Sequence, residues 1–590
     1  MRSNKSKIGV FNAQTHYHEN RGDYTSKSGI HPELYKTRED RTINGNEYIA
    51  KILKQEGVDL MTCYPSNPII EAAAKEGIRP VAFRHERGAI MAADGISRTS
   101  DRQKFGVVAI QSQAGAENAV GGIAQAYADN IPILVLPGGV FLNQLSVKPN
   151  FSAVQNYQHI TKQVEAIYRP EDVGAATRRA IHALKNGPPG PVVLELTADV
   201  CDAEIPEASQ NYQSPSEHYS QPSQVEIDQA VEALLNADNP VIWAGQGVLQ
   251  AGATAELTAL AELTATPVFC TMPGKSAMDE RHPLCLGAGS GLTTMAASKW
   301  LKEADLLLAL GSSLTRTFYG QPIRGKKTLI QNSINPEDLN KDENIDIGLI
   351  GDTKLTLTAL IEGVKSASLN KDKLLEKRSK LESAISATKE TWLAEWRPLL
   401  TSNETPINTY RVIHEINQHL DLENSIVTHD AGAPRDSIVP FHEATVPHSY
   451  IGWGKTTHLG FGIPLMIGAK MANPDKFCLN LMGDGAFGMS GMDIETAARS
   501  GFAITTVILN NGGMATYPGG FPTAREKYSV SHMQGDYAMI ADGMGAKGIV
   551  VKDPDQLGAA LKQAQQLNQE GQTVLIDVHS NMESKKSYYS

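Results

Sequence analysis

The chain has few cysteines, no long apolar run and no block of one charge sign. Its five cysteines, Cys63, Cys201, Cys270, Cys285 and Cys478, are scattered and form no Cys-x-x-Cys pair. That excludes a zinc-ribbon spacing and a disulfide framework, and fits a reducing compartment. No stretch approaches the ~20 apolar residues of a membrane-spanning helix. The opening segment, MRSNKSKIGVFNAQTHYHEN, lacks the apolar centre of a secretory signal. Net charge is −11 and Lys and Arg gather into no stripe, which argues against a nucleic-acid partner. These absences leave the expectation of a soluble cytoplasmic protein with neither nucleic acid nor membrane as partner.

With 590 residues the chain is long enough for several domains. Residues 1–43 are polar and read as an extension, in which RGD at 21–23 is a chance triplet. From residue 44, amphipathic helical stretches alternate with short apolar runs such as VDLMTCYP, RPVAFR, KFGVVAI and IPILVLPG. The same alternation returns at 225–363 (NPVIWAG, TPVFCT, ADLLLALG, KTLIQNSI) and at 406–580 (NSIVTHD, KFCLNLM, AITTVILN, QTVLIDV). Residues 206–224 are a Ser/Gln/Pro linker, 366–405 a charged helical connector and 581–590 a tail. Helices alternating with apolar strands imply parallel sheets covered on both faces. The expected fold class is therefore α/β, with three doubly wound parallel-sheet domains at 44–205, 225–363 and 406–580.

One stretch carries the chemistry: GDGAFGMSGMDIETAARSGFAITTVILNN, residues 483–511. KFCLNLM predicts a strand ending at Gly483. SGMDIETAARSG predicts a helix capped by Ser490 and stopped by Gly501, and FAITTVIL predicts the next strand. A crossover of this length joins parallel strands, so both strands finish on one edge of the sheet. Asp484 and Asn511 then meet where open α/β sheets bind ligands. A carboxylate, an amide oxygen and a backbone carbonyl make half of an octahedral Mg²⁺ shell, which phosphate oxygens and water complete. Gly483 and Gly485 let the backbone approach a phosphate closely. Asp-Gly alone is a common turn and Asn-Asn-Gly-Gly a common loop; the pair, each closing an apolar strand, predicts a Mg²⁺–diphosphate ligand.

GDG, then 24 residues, then NN resembles the diphosphate-binding motif of thiamine diphosphate enzymes. The resemblance implies Asp484, Asn511 and the backbone oxygen of Gly513 as Mg²⁺ ligands. It also implies a glutamate in a separate domain that bonds to the cofactor's aminopyrimidine. PVAFRHERGAIMAADGISR supplies Glu86, in a segment similar to the acetolactate synthase-like family, as are IAQAYADNIPILVLPGG and GVDLMTCYPSNPIIEAA. In GWGKTTHLGFGIPLMIGA the position matching the bulky residue beneath the cofactor is Leu459. In HDAGAPRD, Gly432 and Ala433 match backbone groups that hold the diphosphate. The three regions become pyrimidine-binding, middle and diphosphate-binding domains, and the cofactor spans two subunits, so a homodimer or homotetramer is implied.

The match loosens in three places. IQSQAGAEN has Gln113 and Ala114 where many acetolactate synthases have Gly-Pro; Gln113 either faces substrate or caps the helix at 116–128. Relatives bind FAD, ADP or nothing in the middle domain. Here WAGQGVLQAG is Gly-rich without the dinucleotide fingerprint, and Ser333 and Asn335 stand at positions acidic in FAD-binding relatives. Finally, SYIGWGKTTHLGFG also resembles bacterial 2-hydroxyacyl-CoA lyases, for which Lys585 and Lys586 of the tail would meet CoA phosphates. The expected activity is decarboxylation of a 2-oxoacid such as pyruvate and transfer of the two-carbon unit to a second carbonyl, with Glu86 and Gln113 as catalytic residues. The alternatives are a 2-hydroxyacyl-CoA lyase and a non-catalytic binding protein that keeps only the scaffold.

Overall fold

The computed structural model describes residues 42–317, 319–367, 370–514 and 520–589. The N-terminal extension expected at 1–43 lies almost wholly outside the described residues. Residues 43–590 form one compact unit built on three parallel six-stranded sheets.

In the first sheet the strands lie in the order Arg79–Ala82, Leu60–Cys63, Gly106–Ile110, Ile133–Pro137, Val192–Glu195, Gln163–Ala166. The third has the same connectivity: Tyr450–Ile451, Ser425–His429, Phe477–Gly483, Thr505–Asn510, Val574–His579, Lys547–Val551. The second differs: Ile347–Ile350, Thr328–Ser333, Leu306–Leu310, Pro240–Ala244, Val268–Thr271, Cys285–Gly289. Numbered within the domain, that order is 3-2-1-4-5-6, the arrangement of dinucleotide-binding folds. Every ladder is parallel, for example Leu481 against Val507 and Leu308 against Ile242. The central strands are buried along their whole length, which is why they read as continuous apolar runs.

Each sheet has two strands beyond the four expected from sequence. Three of the six, Gln163–Ala166, Ile347–Ile350 and Lys547–Val551, are half-exposed edge strands with weak patterns. The 206–224 segment holds one short turn of 3₁₀ helix, and the connector contains a 30-residue helix, Lys371–Leu400.

The first and third domains share one apolar core. Its centre is the contact between the helices Glu86–Arg98 and Gly462–Ala472. A Cβ at Gly95 would lie 2.2 Å from Leu465 O, and one at Gly468 only 1.9 Å from Ala92 O. The small residues of both helices thus let two backbones touch and fix the Glu86 helix against the third domain.

The C-terminal tail is not a loose end. Ser587 is fully buried; its Oγ donates to Thr293 O at 2.6 Å and accepts from Trp392 Nε1 at 3.2 Å. Lys585 pairs with Glu395 at 3.3 Å and lies over the Trp396 ring, while Lys586 Nζ donates to Ser437 Oγ at 3.3 Å. Both lysines thus make contacts that dock the tail against the connector and third domain.

Candidate active site

In a doubly wound sheet a crevice opens where successive connections leave in opposite directions. In the third sheet that point lies between Ser425–His429 and Phe477–Gly483. The segments leaving the two strands are Asp430-Ala431-Gly432-Ala433 and Gly483-Asp484-Gly485. Gly432, at φ +87°, precedes the helix Ala433–Phe441 and has open space on its Cβ side. Gly483 is 3.9 Å from the Pro434 ring, measured from the position of a Cβ, so the two turns lie side by side.

Asp484 is the first residue of a short helix, Asp484–Ser490. Ser490 ends that helix, and a second one, Asp493–Ser500, starts after Met492, so the cap expected at Ser490 is corrected. Splitting the crossover helix keeps Asp484 at a helix start, beside the strand end. Gly501, at φ +75°, is the stop.

The Asp484 carboxylate is buried. Oδ1 accepts from Gly485 N at 2.7 Å and Oδ2 from Gly512 N at 2.9 Å. Burial raises its pKa, and the amides of Gly485, Gly512 and Gly513 act in the opposite direction. Asn511 Oδ1 accepts from Gly513 N at 3.0 Å, and Gly513 bridges to His532. Asn510 belongs to the strand and donates to Asp577 Oδ1 at 3.0 Å, while Asn511 opens the turn whose Gly512 amide meets Asp484. The structure thus brings Asp484, Asn511 and Gly513 together. Their carboxylate, amide and carbonyl oxygens form a hard set that fits Mg²⁺ or a similar cation. Among the described residues no cluster of three or more His, Cys, Asp or Glu competes as a metal site.

Asp430, which sequence reasoning missed, organises the opposite wall. Its buried carboxylate accepts from Ala431 N (2.8 Å), Gly460 N (3.1 Å) and Gly462 N (2.9 Å). Burial nevertheless pushes it up to about 6. The bonds to Gly460 and Gly462 place Leu459, half-buried against the core shared by the first and third domains.

Glu86 is the first residue of the Glu86–Arg98 helix, with His85 as N-cap. It is 2% exposed, so the helix start is not a solvated one. Asn118 Nδ2 donates to Oε2 at 3.1 Å, and a Cβ at Gly115 would sit 2.8 Å from Oε1. Gly115 and Asn118 are one helical turn apart on Ala114–Ala128, so the i, i+3 spacing in AGAEN is the signal that would have found this seat. Gln113 occupies the N-cap position of that helix at φ +56°, but its side chain does not cap. Its Oε1 accepts from Phe151 N at 2.9 Å, fastening the 151 segment to the helix start. Within one chain Glu86 and Asp484 keep separate partners, although Arg87 Nη2 bonds to Met489 O and joins their two helices.

The second sheet has its own crevice between Pro240–Ala244 and Leu306–Leu310. A cavity of about 570 Å³ opens there, lined by Gly245, Gly247, Ser312, Asn335, Asp129 and Lys455 among others. Ser333 Oγ donates to Asp338 Oδ2 at 2.7 Å, and Asn335 caps the Pro336–Asp338 turn.

Three parallel α/β domains, with a hard-oxygen cluster at one sheet edge and a seated glutamate at another, define a cofactor-dependent enzyme of the thiamine diphosphate class. Three family models match: thiamine pyrophosphate enzyme, N-terminal TPP binding domain, over 43–166; central domain over 227–360; and C-terminal TPP binding domain over 430–578. The probable acetolactate synthase large subunit of Methanocaldococcus jannaschii is 30% identical, covering 88% of this chain and 90% of that one. The acetolactate synthase large subunit of Lactococcus lactis is 28% identical (92% and 94%). The isozyme 3 large subunit of Escherichia coli is 26% identical (91% and 94%). The chain belongs to the thiamine diphosphate-dependent, acetolactate synthase-like enzymes. That sets aside the non-catalytic alternative.

Proposed function

We propose that the protein is a Mg²⁺- and thiamine diphosphate-dependent carboligase of the acetolactate synthase type. It would release CO₂ from a 2-oxoacid such as pyruvate and join the remaining two carbons to a second carbonyl. The observation that supports the reading is the closure of Asp484 on the Gly512 amide, which brings the turn after Asn511 to the Asp484 carboxylate at the sheet edge. The bound cofactor supplies the nucleophilic carbon and the electron sink for decarboxylation.

The chain's own residues bind and orient. Asp484, Asn511 and the carbonyl of Gly513 hold Mg²⁺, with Gly483, Gly485, Gly432 and Ala433 offering backbone to the diphosphate. Leu459 would pack against the bound cofactor. Glu86, shielded from water and steered by Asn118, shares a proton with the aminopyrimidine ring. Gln113 is held by Phe151 N and so fixes the wall of the substrate space.

Assembly of at least two copies belongs to the same reading. The helices that carry the half-sites also bear exposed apolar side chains: Val120 and Tyr127 on Ala114–Ala128, and Met489 on Asp484–Ser490. A homodimer, or a homotetramer built from it, covers these faces and joins Glu86 of one copy to the metal site of another. The cytoplasm is the compartment that suits five buried free thiols. Among the described residues no helix is long and apolar enough to cross a membrane. The middle-domain cavity has the volume and the strand-end position for a nucleotide, FAD or ADP; a flavin absorbance band in the purified protein identifies the former.

Pyruvate-dependent CO₂ release requiring Mg²⁺ and thiamine diphosphate is the deciding experiment. Aldehyde release from a 2-hydroxyacyl-CoA without CO₂ would replace the synthase reading by the lyase. No response to the cofactor in either assay would remove both.

A further inference from the structure

The loop that carries Leu459 is tied down at both ends by buried carboxylates from different domains. At its start, Gly454 N and Lys455 N donate to Asp129 Oδ2 and Oδ1, each at 3.2 Å. At its end, Gly460 N and Gly462 N donate to Asp430. Between them, Gln125 Oε1 accepts from Thr456 Oγ1 at 2.7 Å and from His458 N at 3.3 Å. Gln125 is itself fixed, because its Nε2 donates to Asp129 Oδ2 at 2.8 Å. Arg98 Nη2 holds the same oxygen at 2.8 Å. Gln125 and Asp129 are essentially inaccessible to solvent.

The loop needs this hold. Gly454, Thr457 and Gly460 all have φ in the left-handed region, at +116°, +54° and +79°. For β-branched Thr457 that is a strained conformation, kept only where the surroundings dictate it. Thr456 is exposed, so hydrogen bonds rather than core packing hold this part of the loop. His458 lies against Gly121, where a Cβ would come within 2.2 Å of Nε2. Gly121, Gln125 and Asn118 share one helix, Ala114–Ala128. The element that seats Glu86 therefore also latches the Leu459 loop.

We propose that Gln125, braced by Asp129, is a positioning residue that holds the 454–458 loop, and through it Leu459, in the shape the cofactor site needs. Gln125 acts through Thr456 and His458, and the inference rests on the functional reading above for the meaning of Leu459. The latch is tested with Thr456→Val, which removes the hydroxyl on an exposed side chain, and with Thr456→Ser, which restores it. In the full-length protein Thr456→Val is expected to speed hydrogen exchange at the 454–458 amides roughly tenfold. The helix Gly462–Ala472 exchanges as in wild type. With pyruvate, kcat falls about tenfold while KM stays within about threefold, and Thr456→Ser returns exchange and kcat to within about twofold of wild type. Wild-type exchange at 454–458 in Thr456→Val overturns the latch; faster exchange with unchanged kcat overturns its role in positioning. If the wild-type protein itself does not respond to thiamine diphosphate, the functional reading and the positioning role fail together, and the exchange comparison still decides whether the latch exists.

Discussion

Asp484 Oδ2 meets the backbone amide of Gly512 at 2.9 Å, tying the end of one strand to the turn that follows the next. Removing the charge while keeping the shape tests what this closure is for. Mg²⁺ with thiamine diphosphate at about a hundred times Kd is expected to stabilise the wild-type protein by about 2.7 kcal/mol. Asp484→Asn is expected to lose that stabilisation and keep its unliganded Tm to within a few degrees. Scanning calorimetry with and without cofactor reads both, and a cofactor response of wild-type size in the variant would remove Asp484 from metal binding.

Glu86 depends on the helix beside it. Glu86→Gln is expected to bind cofactor normally and to lose about 10²- to 10⁴-fold in kcat, the usual share of a positioned proton-transfer group. Gly115→Ala places a methyl group 2.5 Å from Gln111 Cβ and 2.8 Å from the Glu86 Oε1 position, so the helix start and the carboxylate must shift together. Its expected signature is low kcat with an unchanged cofactor-dependent Tm shift. Undiminished turnover in Gly115→Ala would show that Glu86 needs no such seat.

His442 is buried, with Nδ1 2.8 Å from Asn417 Oδ1, and burial pulls its pKa down to about 3. The unfolded chain binds a proton near pH 6.5 that the folded chain refuses, so this group's contribution to stability is present above pH 6.5 and lost as pH falls toward 3. Asp94, Asp430 and Asp493, raised to about 6 by burial, act with the opposite sign between pH 4 and 6. The comparison is therefore between variants. Relative to wild type, His442→Gln should flatten the acid side of the stability curve by about 1.4 kcal/mol per pH unit below 6.5. Parallel denaturant-derived curves for the two proteins would show that His442 does not titrate on unfolding.

Ser587 joins the tail to two other parts of the chain, donating to Thr293 O and accepting from Trp392 Nε1. Ser587→Ala leaves the buried indole N–H without its acceptor and is expected to cost about 1–3 kcal/mol. Urea unfolding measures the loss, and a change below about 0.5 kcal/mol would mean that the Ser587 hydroxyl contributes nothing to the fold.

Much of the architecture is legible because parallel strands buried on both faces read as uninterrupted apolar runs. KFGVVAI, ADLLLALG and AITTVILN all fall on such strands. The edge strands Gln163–Ala166 and Lys547–Val551 are only half-buried and carry no pattern that separates them from loops. The crossover logic also places Asp484 and Asn511 on one edge before any coordinates, since chain direction and handedness leave a βαβ unit little choice. It does not see that the crossover helix breaks at Gly491–Met492, because Gly491 and the two short helices are individually compatible with one continuous element.

By itself the sequence determined the three α/β units, because periodicity is a local property, and its motifs carried the resemblance that pointed to the cofactor class. Tertiary structure decided the rest. Asn118 and Gly115 act on Glu86 from a helix about thirty residues away in sequence. Asp129 and Asp430 reach one loop from domains some three hundred residues apart. Lys585 and Lys586 carry no sequence sign of the partners that packing gives them, Glu395 and Ser437. A hydrogen bond between distant segments leaves no periodic trace in either one, so its existence depends on how the sheets and helices come together.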